Sequence, residues 1–323
     1  MQRREFVKRA ALTGAALVGT QLPVLRPSPA RASAADASPA ALGECLWGIH
    51  CEPGTRYDTP YKAIAHAERL AGRRFAVDRQ YHHWDDSLPT GYEVWTRGQG
   101  RIPYVSWNSY AKHGTPISWQ SIAAGSHDSW IIHQAQSIQS WGSKIYLAFN
   151  HEPENDSPRC GTAAEYRAAT SHIINVFRAH GVTNVSWVVT LMAPTFQGRN
   201  GGPRTWLPGA AYDIVGVDGY NRWPCFPDHG YKTFKELFAP AHSFAASIGK
   251  PMAIGEFGTL EATACDNGGD PDAKAYWFKN AAHWIQAWGN VVFSAYSHVF
   301  ATFRGNPMAF WFTTSAPSLA RTQ

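Results

Sequence analysis

The chain has 323 residues, 44% of them hydrophobic and 16% charged, which excludes a wholly disordered polymer and leaves enough length for a sizeable core. No apolar run reaches the roughly 18 residues that an ordinary membrane-spanning helix needs. The formal charge of +5 lies entirely in residues 1–32, where six basic side chains face Glu5 alone. The rest carries 23 basic and 23 acidic side chains, so it offers no electrostatic case for nucleic acid or an acidic membrane surface as a partner.

Residues 1–32 read as an export signal. Arg3-Arg4-Glu5-Phe6-Val7-Lys8 follows the twin-arginine pattern, a modest apolar stretch runs from Ala10 to Val18, and Ala30-Arg31-Ala32 offers a small-x-small cleavage site. The plainer reading, a basic amphipathic helix, does not require these three parts in this order. The expectation is a protein exported already folded by the twin-arginine machinery, secreted, and free of the membrane after cleavage. Residues 33–43 read as a flexible tether, and residues 44–323 as one catalytic domain, expected to be monomeric.

Within that domain short apolar runs alternate with helical patterns. Strands are predicted at 46–51, 74–81, 101–107, 144–150, 184–191, 212–218, 250–256 and 290–296. They are rich in Val and Ile and lack strict polar alternation, as parallel strands buried on both faces do. Helices are predicted at 60–72, 126–141, 162–180, 234–248 and 271–288. Thr162 and Glu165 suggest a capping box, Asp270 with Pro271 a further helix start, and Gly181, Gly249 and Gly289 the stops. One short helix is expected between 85 and 100, and a long Gly/Pro-rich loop over 193–211. Eight strands alternating with helices predict a single (β/α)8 barrel. A doubly wound sheet is the other candidate, but neither GxGxxG nor GxxxxGK[ST] occurs.

Active residues of such barrels sit at the C-terminal ends of strands. The fourth strand runs into Asn150-His151-Glu152-Pro153, and the seventh into Gly255-Glu256-Phe257. A Glu at each of these two lips is what glycoside cleavage requires: one carboxylic acid to protonate the leaving oxygen, one carboxylate to meet the oxocarbenium-like centre. Either Glu alone is more often a salt-bridged or capping side chain; the pair after two buried runs is harder to explain that way. His151 is a candidate to bond a sugar hydroxyl or the nucleophile, and Tyr220 to donate to a neighbouring carboxylate. His82, Trp84, Trp107 and Trp223 are candidate substrate contacts, the indoles by stacking on pyranose faces, although any one Trp fits equally well in a core. His50, His82 and His83 lack the carboxylates and spacing of a zinc site, so neither metal nor cofactor is expected.

These motifs give the chain a specific resemblance. Arg101-Ile-Pro-Tyr-Val-Ser-Trp107, Phe149-Asn-His-Glu-Pro153, Asp213-Ile-Val-Gly-Val-Asp-Gly-Tyr220 and Lys250-Pro-Met-Ala-Ile-Gly-Glu-Phe-Gly258 resemble glycoside hydrolase family 26, in the clan of retaining (β/α)8 enzymes with Glu on strands four and seven. Most of that clan has Asn before the acid/base; family 26 has His, and His151 fits. The resemblance implies Glu152 as acid/base, Glu256 as nucleophile and Tyr220 as the tyrosine beside it. It also implies a β-linked polysaccharide or oligosaccharide as substrate, with β-1,4-mannan first and mixed-linkage β-glucan or β-xylan next. The chain departs from mannan-cleaving members just after Glu152, where Pro153-Glu154-Asn155-Asp156 replaces the usual Asn-Gly and nearby Trp. A barrel that binds carbohydrate without cleaving it, and a metal-dependent hydrolase on the same barrel, are the alternatives. Five cysteines, Cys45, Cys51, Cys160, Cys225 and Cys265, leave one unpaired; a Cys225–Cys265 bridge is expected because the loops after strands six and seven are neighbours.

Overall fold

A computed structural model describes residues 44–52, 59–226, 230–261, 264, 270–303 and 306–311. The leader, the tether and Cys265 lie outside this set. In chain order the elements are β1 (Leu46–Cys51), α1 (Pro60–Ala71), β2 (Val77–His82), α2 (Gly91–Gly98), β3 (Ile102–Trp107), α3 (Trp119–Ala123), α4 (Asp128–Trp141), β4 (Ile145–Phe149), α5 (Pro153–Asp156), α6 (Ala163–Ala179), β5 (Val185–Met192), α7 (Ala193–Phe196), β6 (Ile214–Asn221), α8 (Phe234–Ser247), β7 (Met252–Thr259), α9 (Ala273–Trp288), β8 (Val291–His298), β9 (Phe300–Phe303) and β10 (Asn306–Ala309). Strands β1 to β8 form one closed barrel, and the β8–β1 seam pairs Leu46 through Cys51 with Phe293 through His298 in parallel. The expected (β/α)8 architecture is therefore present.

All eight expected strands form, and the boundaries differ for local reasons. β6 runs on to Asn221 and β7 to Thr259, so Tyr220 lies inside its strand rather than just past it, and Glu256 lies within β7 rather than at its last residue. The helix expected from Asp270 begins two residues later, because Asp270 spends its carboxylate on the Asp272 amide. The capping box at Thr162 and Glu165 is formed, and similar boxes at Thr90/Glu93 and Thr233/Glu236 start α2 and α8. The 193–211 stretch is not a plain loop: it holds α7 and two short 3₁₀ turns at Arg199–Gly201 and Pro203–Thr205. Helix α3 and the antiparallel β9–β10 hairpin were not expected.

The core has two layers. Val77, Ile102, Tyr104, Tyr146, Ala148, Val188, Ile214, Ala253 and Phe293 fill the barrel, and a larger apolar shell lies between the strands and their helices. Alternation along β7 assigns Ala253 to the interior and Ile254 to the outer shell. Gly255 returns inward, where an added Cβ would lie 2.4 Å from Asp218 Oδ1. Strict alternation would then turn Glu256 outward. Instead the register slips: Val217 faces Ile254 but Asp218 faces Glu256, and β8 shows an irregularity over the same stretch. One extra residue on β7 thus turns Glu256 into the mouth.

Gly255→Ala tests this bulge. The new methyl has no room against Asp218, so it should destabilise the fold by about 1–3 kcal/mol, seen as a lower denaturant midpoint. An unchanged midpoint would mean that the bulge tolerates a side chain.

Candidate active site

The barrel mouth is built around Glu256. Its Oε1 accepts from Tyr81 Oη at 2.6 Å and lies 3.4 Å from Arg79 Nη2; its Oε2 accepts from Tyr220 Oη at 2.7 Å. His151 Nε2 stands 3.6 Å from Oε1. Burial alone would raise this carboxyl, but His151, Arg79 and the two tyrosine hydroxyls outweigh it and hold it down at about 2. His151 is itself pushed down to about 4, by burial and then by Arg79, so at neutral pH the lasting positive charge is that of Arg79.

Arg79 is wholly buried. Its guanidinium lies between the rings of Tyr81 and Tyr104, at 4.3 and 4.0 Å from their centroids, and Nη1 donates to Ser106 Oγ at 2.7 Å. This is cation–π packing around a charge with no access to water.

Glu152 lies at the lip of β4 in a different setting. Its φ of 48° and that of Asn150, 46°, put two non-glycine residues in the left-handed region on either side of His151. Such backbone costs on the order of 1–2 kcal/mol per residue and persists only where the surroundings hold it. Here Asn150 Oδ1 accepts from the Ser109 amide and from Ser109 Oγ, Asn150 Nδ2 donates to Asp156, and the Glu152 amide donates to the Thr190 carbonyl. Asn155 Nδ2 donates to Glu152 Oε2 at 2.7 Å. Burial pushes the Glu152 carboxyl up to about 8, helped by the charges of Glu256 and Glu154 and opposed by Arg222 and Arg79. One carboxyl is therefore ionised and the other protonated at neutral pH, which suits a nucleophile and a general acid.

The other expected contacts divide. His151 and Tyr220 join the Glu256 cluster, and His151 Nδ1 is also 3.1 Å from Asn108 Oδ1. Trp223 is half-buried beside the exposed Tyr231, at 5.8 Å between centroids, and keeps an accessible ring. Trp107 and Trp84 are not sugar platforms. Trp107 is 0% exposed and Trp84 5%; they stack on each other at 4.5 Å, and Trp107 Nε1 donates to the Trp84 carbonyl. Their faces are spent on the shell behind β3. His82 is likewise taken: Nε2 meets Glu93 at 2.9 Å and Nδ1 faces Asp86 at 3.6 Å. The two carboxylates raise its pKa against the effect of burial.

Four contributors escaped the sequence reading: Arg79, Tyr81, Asp218 and Ser297. Asp218 is buried beside Glu256, and that burial with the charges of Glu256 and Glu152 pushes its carboxyl well up. The inward alternation of Arg79 and Tyr81 on β2 was the one signal available. Among the described residues, ligand atoms of His151, Asp218 and Glu256 lie within 4.8 Å of one another. A cation there would meet the Arg79 guanidinium, and both Glu256 oxygens already accept hydrogen bonds, so this donor set suits a carboxylate held by donors better than a metal. Cys45, Cys51 and Cys160 are free thiols; the expected Cys225–Cys265 bridge falls outside the described residues.

The geometry defines a class, a (β/α)8 barrel with Glu152 and Glu256 at its C-terminal mouth, and comparison with solved structures agrees on the barrel. No family model matches the chain. A curated relative, endoglucanase H of Acetivibrio thermocellus, is 30% identical over 270 residues; the match covers 79% of this chain but 28% of the relative. Among solved structures, a Cellulomonas fimi endo-β-1,4-mannanase double mutant superposes with a TM-score of 0.54 at 17% identity, covering 78% of this chain and 64% of that one. GH26C of a Muricauda species gives 0.54 at 12% identity, covering 87% and 84%, and Bacillus subtilis mannanase BCman 0.53 at 16%, covering 83% and 84%. At these identities the structural likeness is one of fold.

Glu154, next but one to Glu152, accepts from the Met192 amide and Thr195 Oγ1, and burial pushes it up to about 7. Ionised Glu154 disfavours ionisation of Glu152. Glu154→Gln keeps an acceptor for both donors and removes the charge, so Glu152 should then titrate at lower pH, read from its ¹³Cδ shift. An unmoved midpoint would disconnect the two carboxyls.

Proposed function

We propose that this protein is a glycoside hydrolase of family 26 that cleaves a β-linked glycan internally by a retaining, two-Glu mechanism. The observation that carries this reading is the pair of carboxyls at the lips of β4 and β7 in opposite settings, Glu256 gripped by Arg79, Tyr81 and Tyr220 and held down, Glu152 with one amide partner and pushed up by burial. The family motifs around these residues, the barrel shared with endo-β-mannanases and the identity to an endoglucanase support it. β-1,4-Mannan is the first substrate to try, with mixed-linkage β-glucan next. Protonated Glu152 delivers its proton to the leaving glycosidic oxygen while Glu256 attacks the anomeric carbon. Esterification then removes the Glu256 charge, and Glu152, now easier to ionise, draws a proton from the water that releases the sugar. Trp223 and His151 are the side chains we assign to contact with the sugar. The alternative of a non-catalytic carbohydrate-binding barrel would leave the two opposed carboxyls without a use. Export by the twin-arginine route, and a Cys225–Cys265 staple in the secreted form, belong to the same proposal.

Two variants test the roles. Glu152→Ala should slow unactivated glycans by roughly a hundredfold or more while sparing aryl glycosides with good leaving groups, and azide should partly restore turnover. Glu256→Ala should abolish turnover of both. The first product, followed by NMR of a fresh digest, should keep the β configuration. An α-anomer, or equal mild losses in the two variants, would overturn the mechanism.

A further inference from the structure

Tyr220 Oη has two neighbours, Glu256 Oε2 and Ser297 Oγ, each at 2.7 Å. The hydroxyl has one proton to give. Glu256 is ionised and can only accept, and Tyr220 itself stays protonated, since burial and the Glu256 charge push its phenol well up. The Tyr220 proton therefore points at Glu256. The remaining contact has one solution: Ser297 donates its own hydroxyl proton to the Tyr220 oxygen. Ser297 is 1% exposed, so bulk water does not compete for its hydroxyl. It lies near the tip of β8, where it pairs with His50 of β1, while Tyr220 comes from β6; the two flank β7.

We infer that Ser297 is a positioning residue for the nucleophile: by donating to the Tyr220 oxygen it fixes the phenol proton on Glu256 Oε2 and strengthens that bond. Hydrogen bonds in a chain polarise one another, and a donor to a phenol oxygen makes the phenol a better donor. Without Ser297 the phenol still faces Glu256, but as a weaker donor. Ser297 touches neither Glu256 nor, on this arrangement, the sugar, so its whole effect passes through Tyr220. The inference rests on Glu256 being the nucleophile, and its test is arranged so that the two can fail separately.

The test is a double-mutant cycle with kinetics and NMR. Ser297→Ala should lower kcat roughly three- to tenfold, the fold-change that loss of one net hydrogen bond commands, with KM nearly unchanged. The Glu256 ¹³Cδ titration should move to higher pH. Ser297→Thr, which keeps the hydroxyl, should restore both. In a Tyr220→Phe background Ser297→Ala should add almost nothing, whereas in a Tyr81→Phe background its effect should persist, because Tyr81 serves the other oxygen. A full Ser297→Ala loss in the Tyr220→Phe background, or an unmoved Glu256 titration, would overturn the inference. A wild-type protein that turns over no β-glycan would instead overturn the functional reading, and the NMR titration would still decide the role of Ser297. Should Ser297→Ala fail to fold, Ser297→Cys, a much weaker donor of similar size, takes its place in the same cycle.

Discussion

The Arg79 charge is the constraint around which the mouth is organised. A guanidinium cannot shed its proton, and no water reaches this one. It must be neutralised from within the barrel, and Glu256 is the carboxylate that meets it. Holding an ion in that position is expensive unless its remaining valences are filled. The two tyrosine faces and Ser106 supply much of that solvation in place of water, while the buried Nε makes no hydrogen bond among the described residues. One buried cation then supports one buried anion, and the two further carboxyls nearby, Asp218 and Glu152, are pushed up by burial and by the Glu256 charge. The division of labour between the two Glu follows from this count of charges.

The two lips reach their geometry by different means. At β7 a single inserted residue turns Glu256 inward, and the strand continues straight to Thr259. At β4 the strand ends at Phe149, and the chain makes two left-handed steps around His151 before α5 begins. The first is held rigid, with each carboxylate oxygen gripped. The second is held by side chains from β3 and its loop, and its carboxyl has one partner, the exposed Asn155. A nucleophile needs a fixed line of attack, while an acid/base must serve a leaving group and then a water. The firmness of each lip matches its task.

The barrel was legible in the sequence because eight Val/Ile-rich runs, most of them followed by a helical pattern, leave few other topologies. Glu152 and Glu256 were legible because they follow two of those runs. The supports were not. Arg79 and Tyr81 reach Glu256 across 177 and 175 residues of chain, and nothing local marks that meeting. Trp84 and Trp107 misled because an indole near a strand end reads the same whether it faces a sugar or another indole. His82 misled because Glu93, which captures it, also reads as an ordinary member of the Thr90 capping box, and in fact serves both. The turn of Glu256 into the mouth was hidden for a similar reason, since a glycine bulge and a regular strand share one composition.

The long separations in the Glu256 cluster bear on how the site comes into being. Its partners lie on β2, β6 and, through Tyr220, β8, so the first quarter of the barrel must close against the last before the carboxylate has its partners and its direction. Loops of this length close slowly, because their entropy is lost before any contact repays it. During synthesis the strands up to β6 can gather while Glu256 is still untranslated, and the assembled mouth waits for the final strand. The cluster is thus a seal on the whole chain: no half-barrel fragment can carry it, and its presence certifies that the ring has shut.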